Sequence, residues 1–234
     1  MVNNMNLTNE LKSFLLKNGA DKIGFANLKS LDKKIRDNYD YGIVIGLKYS
    51  KEAIVNNKNE DLEKYYDEFK LINEKLDNLA NSTEEFLEKK GFPSLANLRA
   101  TVQIDKNYSS KLPHKTLATL AGIGWIGKCG LLVTNDFGSA IRFISILTNA
   151  ELDCGKPIET SQCPYTCNNC GNVCPGNAIS GRLWMKGIDR DAFYNADACK
   201  KAATKLAKEK LNVEESICGL CISNCPITQK AMKY

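Results

Sequence analysis

The sequence predicts an α+β protein in two parts, an α/β domain over residues 1–153 followed by a small cysteine-held module over residues 154–234. Three observations carry this. Before residue 150, helical periodicity alternates with short β-branched runs. After it the regular pattern fades while Gly, Pro and Asn rise, and eight of the ten cysteines crowd between Cys163 and Cys225. With 234 residues the chain can bury one large core beside a satellite module.

The elements follow in order. Residues Leu7 to Lys17 read as an amphipathic helix with Leu7, Leu11, Phe14 and Leu15 on one face, ended by Asn18-Gly19. The short apolar run Tyr41 to Leu47 reads as a buried strand. From Glu60 to Lys90, apolar residues from Leu62 to Leu87 recur every three or four places, which predicts one long helix or two broken near Asn81-Ser82. Leu98 to Ile104, Leu131 to Thr134 and Ala140 to Thr148 supply further strands. Beyond residue 150 the cysteines take over as the core, since a module this small needs a staple.

Composition sets bounds on function. An apolar share of 43% and a charged share of 25% place the chain among folded globular proteins rather than disordered ones. A formal net charge of +5 tolerates an anionic partner without requiring one. Residues Met1 to Glu10 are polar, and no apolar run reaches the roughly eighteen residues of a membrane span, so a cytoplasmic location without membrane contact is expected. Cysteines clustered in a reducing compartment read as metal ligands rather than disulfides.

Cysteine spacing is the strongest signal. One run is Cys163-x3-Cys167-x2-Cys170-x3-Cys174-Pro175; the other is Cys218-x2-Cys221-x3-Cys225-Pro226, with Cys199 upstream. A cubane needs four thiolates around it; closely spaced cysteines on a tight loop supply three, and the Cys before Pro is carried away to the other cluster. That crossover predicts two [4Fe–4S] clusters in a bacterial-ferredoxin-like module, one on Cys163, Cys167, Cys170 and Cys225, the other on Cys174, Cys199, Cys218 and Cys221. Because the first gap is x3 rather than x2, Cys154 is an alternative to Cys163. Tetrahedral zinc is the competing reading, which the eight ligands and two Cys-Pro endings disfavour.

Upstream stands Ala121-Gly122-Ile123-Gly124-Trp125-Ile126-Gly127-Lys128. Its glycines let backbone approach a bulky planar ligand, and Lys128 offers a point charge to a ligand's polar rim; tight packing within the protein is the other reading. Trp125 is either a wall for such a ligand or core. A dinucleotide fingerprint is excluded because the glycines follow a predicted helix rather than a strand.

This octapeptide, with Leu131 to Thr134, Phe137-Gly138-Ser139, Ile146-Leu147-Thr148 and the double cysteine run, resembles epoxyqueuosine reductases and their shorter relatives, which in turn resemble reductive dehalogenases. The resemblance covers roughly residues 20 to 230. It implies that the first domain is nitroreductase-like and holds cobalamin, with Gly122, Gly124, Trp125, Ile126, Gly127, Lys128 and Cys129 as candidate contacts. It also implies an external low-potential donor of ferredoxin or flavodoxin type.

Several positions depart from that family. Cys129 stands where epoxyqueuosine reductases usually carry Asn, and is either a cofactor contact or a small buried hydrophobe. The family's acidic proton donor falls, counted without gaps, on Tyr108, with Asp105 three residues earlier as a substitute. His114, the sole histidine, lies just inside a helix that Pro113 starts; it is a third candidate donor or a satisfied structural residue. The chain stops nine residues after Cys225, where longer family members continue into helical repeats that grip tRNA, and the lysines from Lys200 to Lys210 read as a solvated helix face. A small or nucleoside-like substrate is therefore expected rather than tRNA. The alternatives are an electron carrier or corrinoid activator without its own substrate, and a flavin-dependent version.

Overall fold

The computed structural model describes residues 4–59, 61–98, 100–101 and 103–233. The chain divides into two compact units, one built from Met1–Leu47, Ile72–Ile123 and Arg142–Ile158, the other from Lys48–Leu71, Gly124–Ile141 and Glu159–Tyr234. The boundary read from composition at residue 153 falls inside the last segment of the first unit. Composition could not see that two upstream segments group with the cysteines, because neither carries a cysteine run.

The first unit is a four-stranded sheet with helices. Its strands are β1 (Lys22–Asn27), β2 (Tyr41–Lys48), β3 (Ser94–Ala96) and β6 (Ile141–Thr148), in the order β1-β2-β6-β3. β1 runs antiparallel to β2, pairing Gly24 with Val44 and Ala26 with Gly42, and β3 runs antiparallel to β6. Every residue of β2 except Lys48 is buried, as its unbroken apolar run requires. Gly24, Ala26, Gly42 and Val44 share one face of the ladder. A Cβ on Gly42 would stand 2.5 Å from Leu117 Cδ2, and one on Gly24 would stand 2.6 Å from Ile123 Cγ2. The two glycines thus form the groove in which helix α4 (His114–Leu120) lies against β1.

Helix α1 (Asn4–Lys17) buries Leu7, Leu11 and Leu15 and stacks Phe14 on Phe86 at 4.8 Å between ring centres. Gly19 at φ 92 ends it. Helix α3 runs unbroken over Glu63–Glu88. Its Asn81-Ser82-Thr83 stretch does not interrupt it because Thr83 Oγ1 donates to the Leu79 carbonyl one turn back, at 2.6 Å.

One expected strand does not appear among the described residues. Within Leu98 to Ile104, Ala100 and Thr101 form a turn and Ile104 makes an isolated bridge to Ser110; Arg99 and Val102 lie outside the described residues. Ile104 is 63% exposed, so its β-branched side chain gains no burial from a ladder. Pairing with β6 goes instead to Ser94–Ala96.

The second unit holds helix α2 (Lys51–Lys58), the start of α3, a hairpin of β4 (Trp125–Ile126) with β5 (Leu132–Val133), and helices α5 (Asn169–Asn172), α6 (Ala196–Leu211), α7 (Leu220–Ser223) and α8 (Pro226–Met232). Ser50 caps α2, its Oγ accepting from the Ala53 amide at 3.1 Å. Lysines along α6 pair at helical spacing with Asp197 and Glu209 on an exposed face. Among the described residues no helix is long and apolar enough to cross a membrane.

Candidate functional site

The second unit gathers the cysteine run. All ten cysteines of the chain are free thiols, and the eight ligand candidates are neither fully buried nor exposed. Among the described residues, no three His, Cys, Asp or Glu side chains converge on the position of a single metal ion. The neighbours fall into sets. Cys163 lies close enough to Cys225 for their charges to interact. Cys174, Cys199 and Cys218 interact in the same way. Cys170 and Cys221 both meet Cys129.

Local folding aims backbone donors at these sulfurs. Cys225 is the N-cap of α8, with Pro226 in the first helical position and no side-chain cap hydrogen bond, and the nearby amides of Thr228 and Ile227 favour its thiolate form. Leu220 at the start of α7 donates to Cys218, Gly171 donates to Cys170, and the Ala178 amide reaches Cys174 Sγ at 3.4 Å. Such donors stabilise thiolates. Against them, burial pushes the thiols of Cys199, Cys218 and Cys225 above their ordinary range. Bound iron would relieve that opposition by replacing the protons. The donor set fits iron–sulfur clusters: thiols in the right number, partly sheltered, each loop supplying amides to sulfur.

Cys154 belongs to the first unit, where its thiol donates to the Leu152 carbonyl at 3.3 Å. Burial and the Asp153 carboxylate push it up to about 11.

The unit boundary falls inside the octapeptide, between Ile123 and Gly124. Each of its glycines abuts this chain itself. Gly122, at φ 70, would place a Cβ 2.3 Å from the Lys156 carbonyl oxygen; Gly124 would place one 2.4 Å from that of Val133, and Gly127 one 2.8 Å from Val133 Cγ2. Trp125 is 2% exposed, and its indole N–H has no hydrogen-bond partner among the described residues. Lys128 is 4% exposed, and its ammonium donates to the carbonyls of Tyr165 at 2.8 Å and Cys167 at 2.7 Å. Its charge therefore pins the first cysteine loop. Ile126 pairs with Leu132 in the hairpin. At each of these three glycines the close approach is made by this chain itself.

The candidate proton donors lie in the first unit. Asp105 organises its own loop: its Oδ1 accepts from the amides of Asn107 at 2.8 Å and Ser109 at 2.9 Å. Tyr108 stands in that turn at φ 59, 40% exposed. His114 Nδ1 lies 2.8 Å from Ser145 Oγ, which also accepts from Asn97 Nδ2 at 3.2 Å. Sequence reasoning did not single out Asn97 or Ser145, because neither type carries a spacing signal. Asn97, with Asp37, Gln103, Lys111, Leu112 and Leu147, lines a cleft of about 380 Å³ in this unit, within the size range of small-molecule sites.

Burial, with a contribution from Arg142, pushes His114 down to about 4 from 6.5. The ring is neutral at pH 7 and can share a hydrogen bond, but it carries no excess proton to give. Because the folded-state value is depressed, the stability His114 confers is complete above about pH 6.5 and is lost as pH falls toward 4. Between pH 7 and 4 the wild type should lose about 2 kcal/mol more than His114→Gln. Urea unfolding at both pH values measures this; parallel losses would contradict it.

No family model matches the chain. Its sequence is 29% identical over 119 residues to an epoxyqueuosine reductase of Synechocystis, a match covering 51% of this chain and 40% of that protein. The chain thus spans about two fifths of the length of that curated relative. In fold it superposes on a crystal structure of an epoxyqueuosine reductase with TM-score 0.61 and 20% identity, over 96% of this chain and 66% of that one. On a catabolic reductive dehalogenase the TM-score is 0.72 at 15% identity, over 99% of this chain and 34% of the other. The chain is therefore a mixed α/β protein similar in sequence and in fold to epoxyqueuosine reductases, with a more distant likeness to reductive dehalogenases.

Proposed function

We propose that the chain is an epoxyqueuosine reductase-like oxidoreductase whose residues 154–234 form a bacterial-ferredoxin-like module holding two [4Fe–4S] clusters. One observation carries this reading: the eight candidate ligand thiols lie in a single compact unit, with backbone amides near the sulfurs of Cys170, Cys174, Cys218 and Cys225. Cysteine thiolates with amide hydrogen bonds are the setting in which such clusters take and pass single electrons. An external ferredoxin or flavodoxin would supply them. The cleft near Asn97 and Lys111 would take a small or nucleoside-like electron acceptor, its amides and hydroxyls reading polar edges.

The resemblance extends the reading to a nitroreductase-like domain over residues 1–153 that binds cobalamin, which would supply a strongly reducing cobalt centre. The octapeptide glycines, however, meet this chain's own Lys156 and Val133. That same observation favours a second reading, an iron–sulfur electron-transfer or corrinoid-activating protein without a substrate of its own.

An anaerobic ultraviolet-visible spectrum, taken before and after reduction with and without added cobalamin, tests the proposal, since clusters, corrinoid and flavin absorb differently. A broad cluster absorption that bleaches on reduction is expected. A flavin spectrum, or none, would overturn it. Reduction of epoxyqueuosine supplied as nucleoside or within tRNA then distinguishes the enzyme from the carrier.

A further inference from the structure

Lys128 occupies the tip of the β4–β5 hairpin, where the Gly127 amide donates to the Leu131 carbonyl and the Gly130 amide to the Gly127 carbonyl, both at 2.9 Å. Its ammonium, 4% exposed, donates to the carbonyls of Tyr165 at 2.8 Å and Cys167 at 2.7 Å. Among the described residues no carboxylate pairs with it, and those two carbonyls are its only hydrogen-bond partners. Carbonyl dipoles take up N–H donors but cancel no charge. An isolated ion in a protein interior is costly, so a buried charge is ordinarily held beside an opposite one.

The surroundings point to the source of that opposite charge. Tyr165 and Cys167 belong to the first cysteine loop, which turns back on itself as the Cys167 amide donates to the Pro164 carbonyl at 3.1 Å. Next to Lys128 in the chain, a Cβ on Gly127 would stand 3.5 Å from Cys163 Sγ. The hairpin tip and the loop both lie in the second unit. The tip therefore packs on the loop that carries Cys163 and Cys167, two candidate ligands of one cluster. A cubane held by four thiolates is a net anion, and the electron it accepts adds a further negative charge.

We infer that Lys128 is the buried counter-charge of the cluster assigned to Cys163, Cys167, Cys170 and Cys225, and that it raises that cluster's reduction potential. The inference rests on the proposed clusters. The step concerned is the arrival of one electron from the external donor; no bond forms or breaks, and Lys128 keeps its protons. A fixed positive charge favours the more negative, reduced form. At roughly 10 Å and an effective dielectric constant of about 20, its attraction for one added electron shifts the reduced-to-oxidised ratio on the order of tenfold. Burial keeps salt from screening it.

The test is a redox titration of the anaerobic chain followed by electron paramagnetic resonance, with iron counted, in wild type, Lys128→Gln, Lys128→Met and Lys128→Arg. The Gln variant keeps an N–H donor for the carbonyls without the charge, and the Met variant removes both. In each, one cluster's reduced-to-oxidised ratio at fixed potential should fall about tenfold. The Arg variant retains the charge and should keep the wild-type ratio. If the Met variant sheds iron because the loop is no longer held, the Gln variant decides. Wild-type potentials in Lys128→Gln would overturn the inference, as would its loss of iron, which would make Lys128 a structural pin alone, or an equal fall in Lys128→Arg. Wild type without clusters would overturn the underlying reading, and the inference with it.

Discussion

Gly138→Ala is expected to destabilise the second unit by about 2–5 kcal/mol and to release the cluster that uses Cys225. Gly138 adopts φ 57, and a Cβ there would stand 2.4 Å from Thr228 Cα and 2.5 Å from Thr228 N. The left-handed conformation costs a non-glycine residue about 1–2 kcal/mol, and overpacking against backbone that cannot turn aside adds about 1–3 kcal/mol. Thr228 sits three residues beyond Cys225 in α8, and its Oγ1 accepts from the Ser139 amide at 3.0 Å. Displacing that helix moves the Ile227 and Thr228 amides off the Cys225 sulfur. Denaturant unfolding and iron content check this, with Ser139→Ala as a control that retains the amide bond. Wild-type stability in Gly138→Ala would contradict it.

The second large effect is expected from the ligands. Cys199→Ala should leave about four of eight irons, since each cubane carries four and only one loses a thiolate. Cys163→Ala should do the same to the other cluster, whereas Cys154→Ala should change nothing, because that thiol belongs to the first unit and bonds Leu152. Full iron retention in Cys199→Ala would show that the fourth ligand lies elsewhere.

How much of this was legible in the sequence varies with the physics of each element. α1, β2, α3 and β6 were readable because burial imposes a period, and their apolar residues carry it. β1 was not, since Lys22–Asn27 is short and its Gly24 and Ala26 are small to receive α4, a contact over ninety residues away in sequence. Helix α2 escaped because its start is set by the Ser50 cap rather than by amphipathic spacing. Leu98 to Ile104 misled because β-branched residues favour a strand only where a partner buries them, and Ile104 is exposed. The glycines of the octapeptide announced close approach but not of what. The structure fills those places with Lys156 and Val133. Lys128 read as a charge for a ligand, yet it is spent on the carbonyls of Tyr165 and Cys167. Conversely, Phe137-Gly138-Ser139 entered only through resemblance, and its packing on Thr228 supplies the physical reason for the glycine.

The most direct measurement is the iron and acid-labile sulfide content of the anaerobically prepared chain, with the electron paramagnetic resonance of its reduced form. Two cubanes predict about eight of each per chain and a spectrum of two interacting clusters. About four of each, or stoichiometric zinc without sulfide, would contradict the account.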